Sequence, residues 1–285
     1  MSRFHVLYNP LANNGVGEAA FKTVKGLLPG GAEAIGHDIT KIDDMRAFVA
    51  SLNGEDELVV CGGDGTLSRF ANDMGQEPIG REVYYFAAGT GNDFLRDIGK
   101  TAADGIIPVG KYLTGLPRVN VKNISALFIN GIGYGIDGYC CEVADELKKK
   151  SSKPINYTSI AIKGLLFHFK PVNAKVTVDG KTRTYNKVWL APTMKGRFFG
   201  GGMMPTPAQD RLDSSGKVSV MVYHGIGKLR ALMIFPQIFS GGHVKHTSMC
   251  DVLTGHEVKV EFDRPTALQI DGETVLAVSE YTVKA

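Results

Sequence analysis

Apolar and polar positions follow two rhythms along this chain, and the change comes near Arg118. In the first part, short apolar runs are separated by stretches with helical spacing. Phe4 to Tyr8 (FHVLY) reads as a buried strand that breaks at Asn9-Pro10, a turn signal. From Glu18 to Leu28, residues Ala20, Phe21, Val24, Leu27 and Leu28 share one side of a helix, which Pro29-Gly30-Gly31 ends. Asp43 to Leu52 predicts a second helix with Met45, Phe48, Val49 and Leu52 turned inward. Glu57 to Cys61 predicts a buried strand, Thr66 to Asp73 a helix, and Val83 to Ala87 another strand. Strand and helix alternate, the signature of a parallel sheet covered by helices.

Beyond residue 118 the segments NISALFINGIGYGID, NAKVTVDGKTRTYNKVWLAP, GKVSVMVYH and HEVKVEFDRPTALQIDGETVLAV alternate with period two. Asp-Gly, Asn-Gly and Ser-Gly pairs punctuate them, so this part predicts antiparallel β-structure. Asp145 to Phe169 is the exception: Lys-rich, then apolar, it predicts one or two helices. The expected organisation is an α/β domain over residues 1–118 and a β domain over 119–277, with the tail at about 278–285 in either one.

Composition narrows the classes. With 285 residues and 44% hydrophobic content, the chain suffices for one large domain or two ordinary ones. A net charge of +3 makes a weak overall field and gives no nucleic-acid footprint. Cys61, Cys140, Cys141 and Cys250 lack metal-ligand spacing and read as reduced thiols of a cytoplasmic protein. The start, MSRFHVLYNP, lacks the apolar core of a signal peptide, and no window approaches the ~18–20 apolar residues of a spanning helix. The histidines are scattered, without metal spacing or a nucleophile beside them.

Three polar, glycine-rich turns, NPLANNG, GGDGT and GTGND, each follow a predicted strand. Parallel α/β sheets bind ligands beyond the carboxyl ends of their strands. In GGDGT (Gly62 to Thr66), bare backbone lets N–H groups approach phosphate oxygens, and a helix opened by Thr66 turns its positive end toward them. Asp64 is repelled by phosphate and suits a partner of Mg²⁺. A plain tight turn with a helix cap would use the same five residues. The chain has no GxxxxGK[ST] loop, and no GxGxxG follows the first strand, which disfavours a P-loop NTPase and a dinucleotide dehydrogenase.

YNPLANNG (Tyr8 to Gly15), GGDGT and GTGNDFLRDIG (Gly89 to Gly99) resemble the motifs of the diacylglycerol-kinase catalytic domain, in particular those of the soluble bacterial lipid kinases. FINGIGYGID (Phe128 to Asp137), GRFFGGGMMPTP (Gly196 to Pro207) and QIDGE (Gln269 to Glu273) continue the resemblance in order over nearly the whole chain. GGDGT alone is shared with NAD kinases and phosphofructokinases; GTGNDF sets the lipid kinases apart. The resemblance implies a three-layer α/β domain of the NAD-kinase and diacylglycerol-kinase type that holds ATP, followed by an antiparallel β-sandwich, with the active site in the cleft. By position it implies nucleotide contacts from Asn9, Pro10, Gly15, Thr40, Gly62, Gly63, Asp64, Gly65, Thr66, Leu67, Ser68, Thr90 and Asn92. Asp64 and Asp93 would organise Mg²⁺, and Asn92 would hold its turn by bonding its own backbone.

IDGE (Ile270 to Glu273) reads by itself as a hairpin turn. The resemblance makes one of its carboxylates the general base on a lipid hydroxyl, and Asp271 and Glu273 both remain candidates, on one side of the strand by alternation. The loop Ala208 to Val218 aligns with one that holds a structural Mg²⁺ in similar enzymes. Asp210, Asp213 and the Ser215 carbonyl are the candidate ligands here, in a stretch one residue longer, and a solvated turn is the alternative. For the lipid, the basic run Lys148, Lys149, Lys150 and Lys153 and the apolar stretches IAIKGLLFHFK and LMIFPQIFSGGH suggest transient peripheral contact with a membrane, although such stretches more often face solvent or fill a core. The expectation is an ATP- and Mg²⁺-dependent kinase of diacylglycerol or a related lipid alcohol. A kinase of a soluble substrate such as NAD and a non-catalytic nucleotide-binding regulator are the rivals, and a homodimer stays open.

Overall fold

The computed structural model describes residues 3–10, 16–30, 32–89, 91–150 and 156–285. The chain divides into two compact units, Met1–Leu116 and Pro117–Ala285.

In the first unit, β1 (Arg3–Tyr8), α1 (Val16–Leu27), β2 (Glu33–Asp38), α2 (Met45–Ser51), β3 (Glu57–Gly62), α3 (Asp64–Met74), β4 (Val83–Ala87), α4 (Asp93–Asp97) and β5 (Ile106–Pro108) follow in order. The sheet order is β2-β1-β3-β4-β5, parallel except for β5. Residues alternate through the sheet. Val6, Val59 and Cys61 join Ala20 and Val24 of α1 in one cluster, so Leu58 and Val60 are turned to the opposite face. Because β1 has β2 on one side and β3 on the other, the connections leaving β1 and β3 diverge at their carboxyl ends. A crevice opens at such a point.

The sequence did not predict β2. Its residues EAIGHD are half polar and nowhere fully buried, because β2 is an edge strand with a single neighbour. Nor did the pattern predict α4 and β5, which are too short to carry a period. Helix α3 starts at Asp64 rather than at Thr66, with Gly63 as its N-cap.

The second unit contains β6 (Arg118–Val121), β7 (Ile124–Leu127), β8 (Gly131–Tyr134), α5 (Ile136–Lys150), α6 (Tyr157–Lys163), β9 (Val172–Val178), β10 (Lys181–Val188), β11 (Thr193–Met194), β12 (Val218–Tyr223), α7 (Lys228–Ile234), β13 (Cys250–Gly255), β14 (Glu257–Ile270) and β15 (Glu273–Lys284). All pairings are antiparallel. β9 shows the period-two logic plainly, with Val172, Ala174, Val176 and Val178 buried and the residues between them more exposed. These side chains meet Val220, Val258, Val260, Leu268 and Val283 from other strands in one core, which makes the unit a β-sandwich. A second core lies on the other side, where α5, α6 and α7 pack Ile136, Ala144, Ile160 and Ile234 with Trp189 and Met221. The indole N–H of Trp189 donates to the Ile226 carbonyl at 3.0 Å. Residues 278–284 lie in β15, paired with β14 and β6 of the second unit. Among the described residues no helix is long and apolar enough to cross a membrane.

Candidate functional site

Glycine-rich turns leave three neighbouring parallel strands at the same end of the first sheet. The register sets Tyr8 beside Cys61, and Gly62 beside Ala87. Asn9-Pro10, Gly62-Gly63 and Ala88-Gly89 therefore begin side by side. Residues 11–15 and Thr90 lie outside the described residues, and with them Gly15 and Thr90 of the predicted contacts.

Here the glycines are required by space. A Cβ on Gly62 would fall 2.3 Å from the Thr66 hydroxyl, and one on Gly89 would fall 2.5 Å from the Cα of Gly63. The two turns thus touch backbone to backbone, and the Ala88 N–H donates to the Gly62 carbonyl at 2.9 Å. Buried Tyr85 donates to the same carbonyl at 2.9 Å. Burial first, and Asp64 second, raise the pKa of its phenol and keep it protonated. Gly63 has no side chain to cap α3, and the first amides of a helix are the groups that bind anions.

Asp64, Gly65, Thr66, Leu67 and Ser68 occupy the first turns of α3, Leu67 and Ser68 buried. The Asp64 carboxylate accepts the Phe94 N–H at 3.2 Å, which ties the GGDGT turn to α4 and sets Asp64 beside the Asp93–Phe94 peptide. Asp93 is buried. No cluster of three His, Cys, Asp or Glu side chains fit for a metal exists among the described residues. The donor set at Asp64 and Asp93 fits Mg²⁺ nonetheless, since that ion takes one or two carboxylates and completes its shell with water and substrate phosphates.

One predicted role needs correction, and a second predicted residue has a local partner. Asn92 is the N-cap of α4 but makes no side-chain cap bond, and its buried Oδ1 has no hydrogen-bond partner among the described residues. It does not hold its turn in the expected way. Thr40 donates both its amide and its hydroxyl to Asp38, at 2.9 and 2.7 Å, within the short helix Ile39–Lys41. The Thr40 hydroxyl heads the causes that lower the Asp38 pKa.

In the second unit, Asp271-Gly272 is the tip of the β14–β15 hairpin, both residues at positive φ, 46° and 98°. Alternation does not run through such a turn, so the expected pairing of Asp271 and Glu273 on one side does not apply. Asp271 is a clamp: its carboxylate accepts the N–H groups of Ile129, Asn130 and Gly131 at 2.6, 2.9 and 3.0 Å. Its own N–H donates to the Gly131 carbonyl. Glu273 opens β15 with an exposed side chain.

Sequence reading missed four polar side chains around this clamp. Asp137, buried in the first turn of α5, accepts from Gln269 at 2.9 Å, and Gln269 in turn accepts the Gly272 N–H at 2.6 Å. The available signal was the glycine in GYGID's neighbourhood, since a Cβ on Gly133 would collide with the Asp137 carboxylate. Buried Arg211 donates to the Ile129 carbonyl at 3.2 Å and to Asn130 Oδ1 at 3.0 Å. Lys195, also buried, donates its backbone N–H to the Asn130 carbonyl. Burial and then Arg211 lower the pKa of its ammonium. The 208–218 loop turns on itself. Asp210 accepts the Leu212 N–H at 2.9 Å, Asp213 accepts the Ser215 hydroxyl, and Asp210, Asp213 and Ser215 are all exposed. The Ser215 hydroxyl leads the causes that lower the Asp213 pKa.

Two family descriptions match the chain. The diacylglycerol kinase catalytic domain matches residues 3–116, and the YegS C-terminal NAD kinase beta sandwich-like domain matches residues 130–283. A diacylglycerol kinase of Mycobacterium tuberculosis (strain ATCC 25618 / H37Rv) is 27% identical over 253 residues, covering 84% of this chain and 79% of that protein. One of Bacillus subtilis (strain 168) is 21% identical over 279 residues, 96% of this chain and 90% of that protein. The crystal structure of a diacylglycerol kinase from Bacillus anthracis str. Sterne has TM-score 0.64 and 17% identity, over 99% of this chain and 93% of that one, which speaks for the shared fold.

Proposed function

The chain belongs to the soluble diacylglycerol-kinase family and is a phosphotransferase with an alcohol acceptor; from that premise we propose that it moves the γ-phosphoryl group of ATP to the hydroxyl of diacylglycerol or a related lipid alcohol, giving phosphatidic acid or its analogue. The observation that carries this reading is the set of three turns side by side at the ends of β1, β3 and β4, with Gly63 and Gly89 in backbone contact. Close backbone and the glycine-capped N-terminus of α3 suit the phosphates of a nucleotide. Asp64 and Asp93 would hold Mg²⁺. When bound, that ion offsets the charge of the phosphates.

The acceptor oxygen attacks the γ-phosphorus, the bond from phosphorus to the ADP oxygen breaks, and the hydroxyl proton goes to a carboxylate. We assign the proton to Glu273, because Asp271 is committed to three backbone N–H groups while Glu273 is exposed. Asp271 is then a positioning residue for the hairpin that carries Glu273. The lipid acceptor brings the protein transiently to a membrane surface, which suits a cytoplasmic enzyme.

The test is transfer of label from γ-labelled ATP with Mg²⁺ into a panel of lipid alcohols in mixed micelles, with NAD as a parallel acceptor. Label in diacylglycerol or another lipid alcohol supports the reading. Label in NAD alone replaces it with a soluble-substrate kinase. ATP binding without transfer to any acceptor replaces it with a nucleotide-binding regulator.

A further inference from the structure

A buried cation is costly unless oxygens meet it. Arg211 is 8% exposed and lies in the 208–218 loop, where the resemblance to bacterial lipid kinases implies a structural Mg²⁺. Its guanidinium donates to the Ile129 carbonyl at 3.2 Å and to Asn130 Oδ1 at 3.0 Å. These belong to the same tripeptide whose three N–H groups are held by the Asp271 carboxylate. The other carbonyls of the tripeptide are taken too. Asn130 accepts the backbone N–H groups of Lys195 and Gly196 at 2.9 and 3.1 Å, and Gly131 accepts that of Asp271 at 3.1 Å. The run Ile129 to Gly131 thus meets a carboxylate at its amides and a guanidinium at its first carbonyl, the polarity that peptide dipoles favour.

The loop that carries Arg211 is closed by donors of the chain itself. Buried Gln209 gives its side-chain amide to the Asp210 and Lys217 carbonyls, at 3.4 and 3.0 Å, and so bridges the base of the loop. Its amide oxygen accepts from Ser219 on β12 at 2.6 Å, and Ser219 bonds Thr254 on β13 at 2.7 Å. The Asp210 carboxylate meets the Leu212 N–H, and the Asp213 carboxylate meets the Ser215 hydroxyl. Buried Lys195 lies within electrostatic reach of Arg211, Asp213 and Asp210. Mg²⁺ needs several oxygens turned to one point. Here the carbonyls at the base face an amide, and two cationic side chains stand by to repel a third charge.

We propose that Arg211 is the built-in structural cation of the second unit, in place of a Mg²⁺ ion in the 208–218 loop, and a positioning residue for the hairpin that carries Glu273. Through Ile129 and Asn130 it fixes the stretch of chain that Asp271 grips. A shift of that stretch moves Asp271, and with Asp271 the start of β15. A guanidinium suits this task because its planar fork reaches two oxygens at once, which an ammonium does not do. The positioning role rests on the lipid-kinase reading, whereas the structural role does not.

The experiment melts the nucleotide-free full chain in excess EDTA and in excess Mg²⁺, as wild type, D210N/D213N, R211M and R211K. The gain in melting temperature from Mg²⁺ should agree within about 1 °C between wild type and D210N/D213N, since an ion held by the loop would stabilise wild type alone. R211M leaves the Ile129 carbonyl and Asn130 Oδ1 without a buried donor, and should melt at least about 5 °C lower in both solutions. R211K keeps the charge, gives up the fork and should melt between the two. Its kcat for transfer to the lipid alcohol should fall about tenfold or more, with KM for ATP within about twofold. That split holds even if R211M does not fold. The structural role is overturned if Mg²⁺ stabilises wild type but not D210N/D213N, or if R211M melts as wild type does. The positioning role is overturned if R211K transfers at the wild-type rate. Melting as expected, with no transfer from wild type to any lipid alcohol, retires the lipid-kinase reading and leaves the structural cation standing. Transfer by wild type with the melting results reversed does the opposite.

Discussion

Asp64-Gly65 and Asp271-Gly272 are the same dipeptide in two backbones. The first pair opens helix α3 after a glycine cap, and its carboxylate takes the Phe94 N–H from the neighbouring turn. The second pair is a two-residue hairpin at positive φ, and its carboxylate takes three consecutive amides, Ile129 to Gly131. In the proposed function, an aspartate that opens a helix after a glycine cap serves an incoming cation and its phosphates. An aspartate that ties a hairpin to the chain entering β8 is placed to keep the hairpin where it is. The dipeptide does not name the chemistry; the backbone conformation and the donors around the carboxylate do.

The sharpest test of that contrast is Asp64→Asn, which keeps an acceptor for Phe94 and removes the charge. Phosphoryl transfer should fall at least about a thousandfold with the melting temperature unchanged, as for loss of a central electrostatic contact. Next is Glu273→Gln, expected to lower kcat by about a hundredfold or more while leaving ATP affinity within about twofold. Asp271→Ala should fail differently: three amides lose their acceptor, and urea unfolding should show a loss of about 3 kcal/mol. Equal melting of Asp271→Ala and wild type would erase the distinction between the two Asp-Gly pairs. Gly89→Ala drives a Cβ into the Gly63 backbone, for a cost of about 2 kcal/mol and weaker ATP binding. By contrast, Gly26→Ala on α1 meets nothing within 4 Å and should gain about 0.5–1 kcal/mol. The smallest effect belongs to Asp213→Asn in the exposed 212–215 turn, within about 0.5 kcal/mol by thermal melt and with transfer intact.

The first unit was legible where burial imposes a period. The strand Val83–Ala87 and the helices over α1 and α2 carry enough apolar positions to fix their type, and the β-rich second part followed from its alternation. The edge strand β2 was not legible, because a strand with one neighbour and no buried face needs no apolar pattern. GGDGT and GTGND were legible as a pair of turns, but their contact through Gly63 and Gly89 was not, since it depends on β3 and β4 being neighbours. Asp271 was legible as a candidate but its partners were not, since they lie about 140 residues earlier in the chain, at Ile129 to Gly131. Asp137, Gln269 and Arg211 escaped for the same reason, as each is defined by a partner that only the folded sheet brings near.

The most direct test of the central claim measures ATP affinity and transfer of the γ-phosphoryl group to diacylglycerol together, for wild type, Glu273→Gln and Asp271→Asn. The account predicts that all three bind ATP alike, that Glu273→Gln transfers almost nothing, and that Asp271→Asn loses activity only as far as it loses stability. Full transfer by Glu273→Gln, with transfer abolished in a stably folded Asp271→Asn, would contradict it.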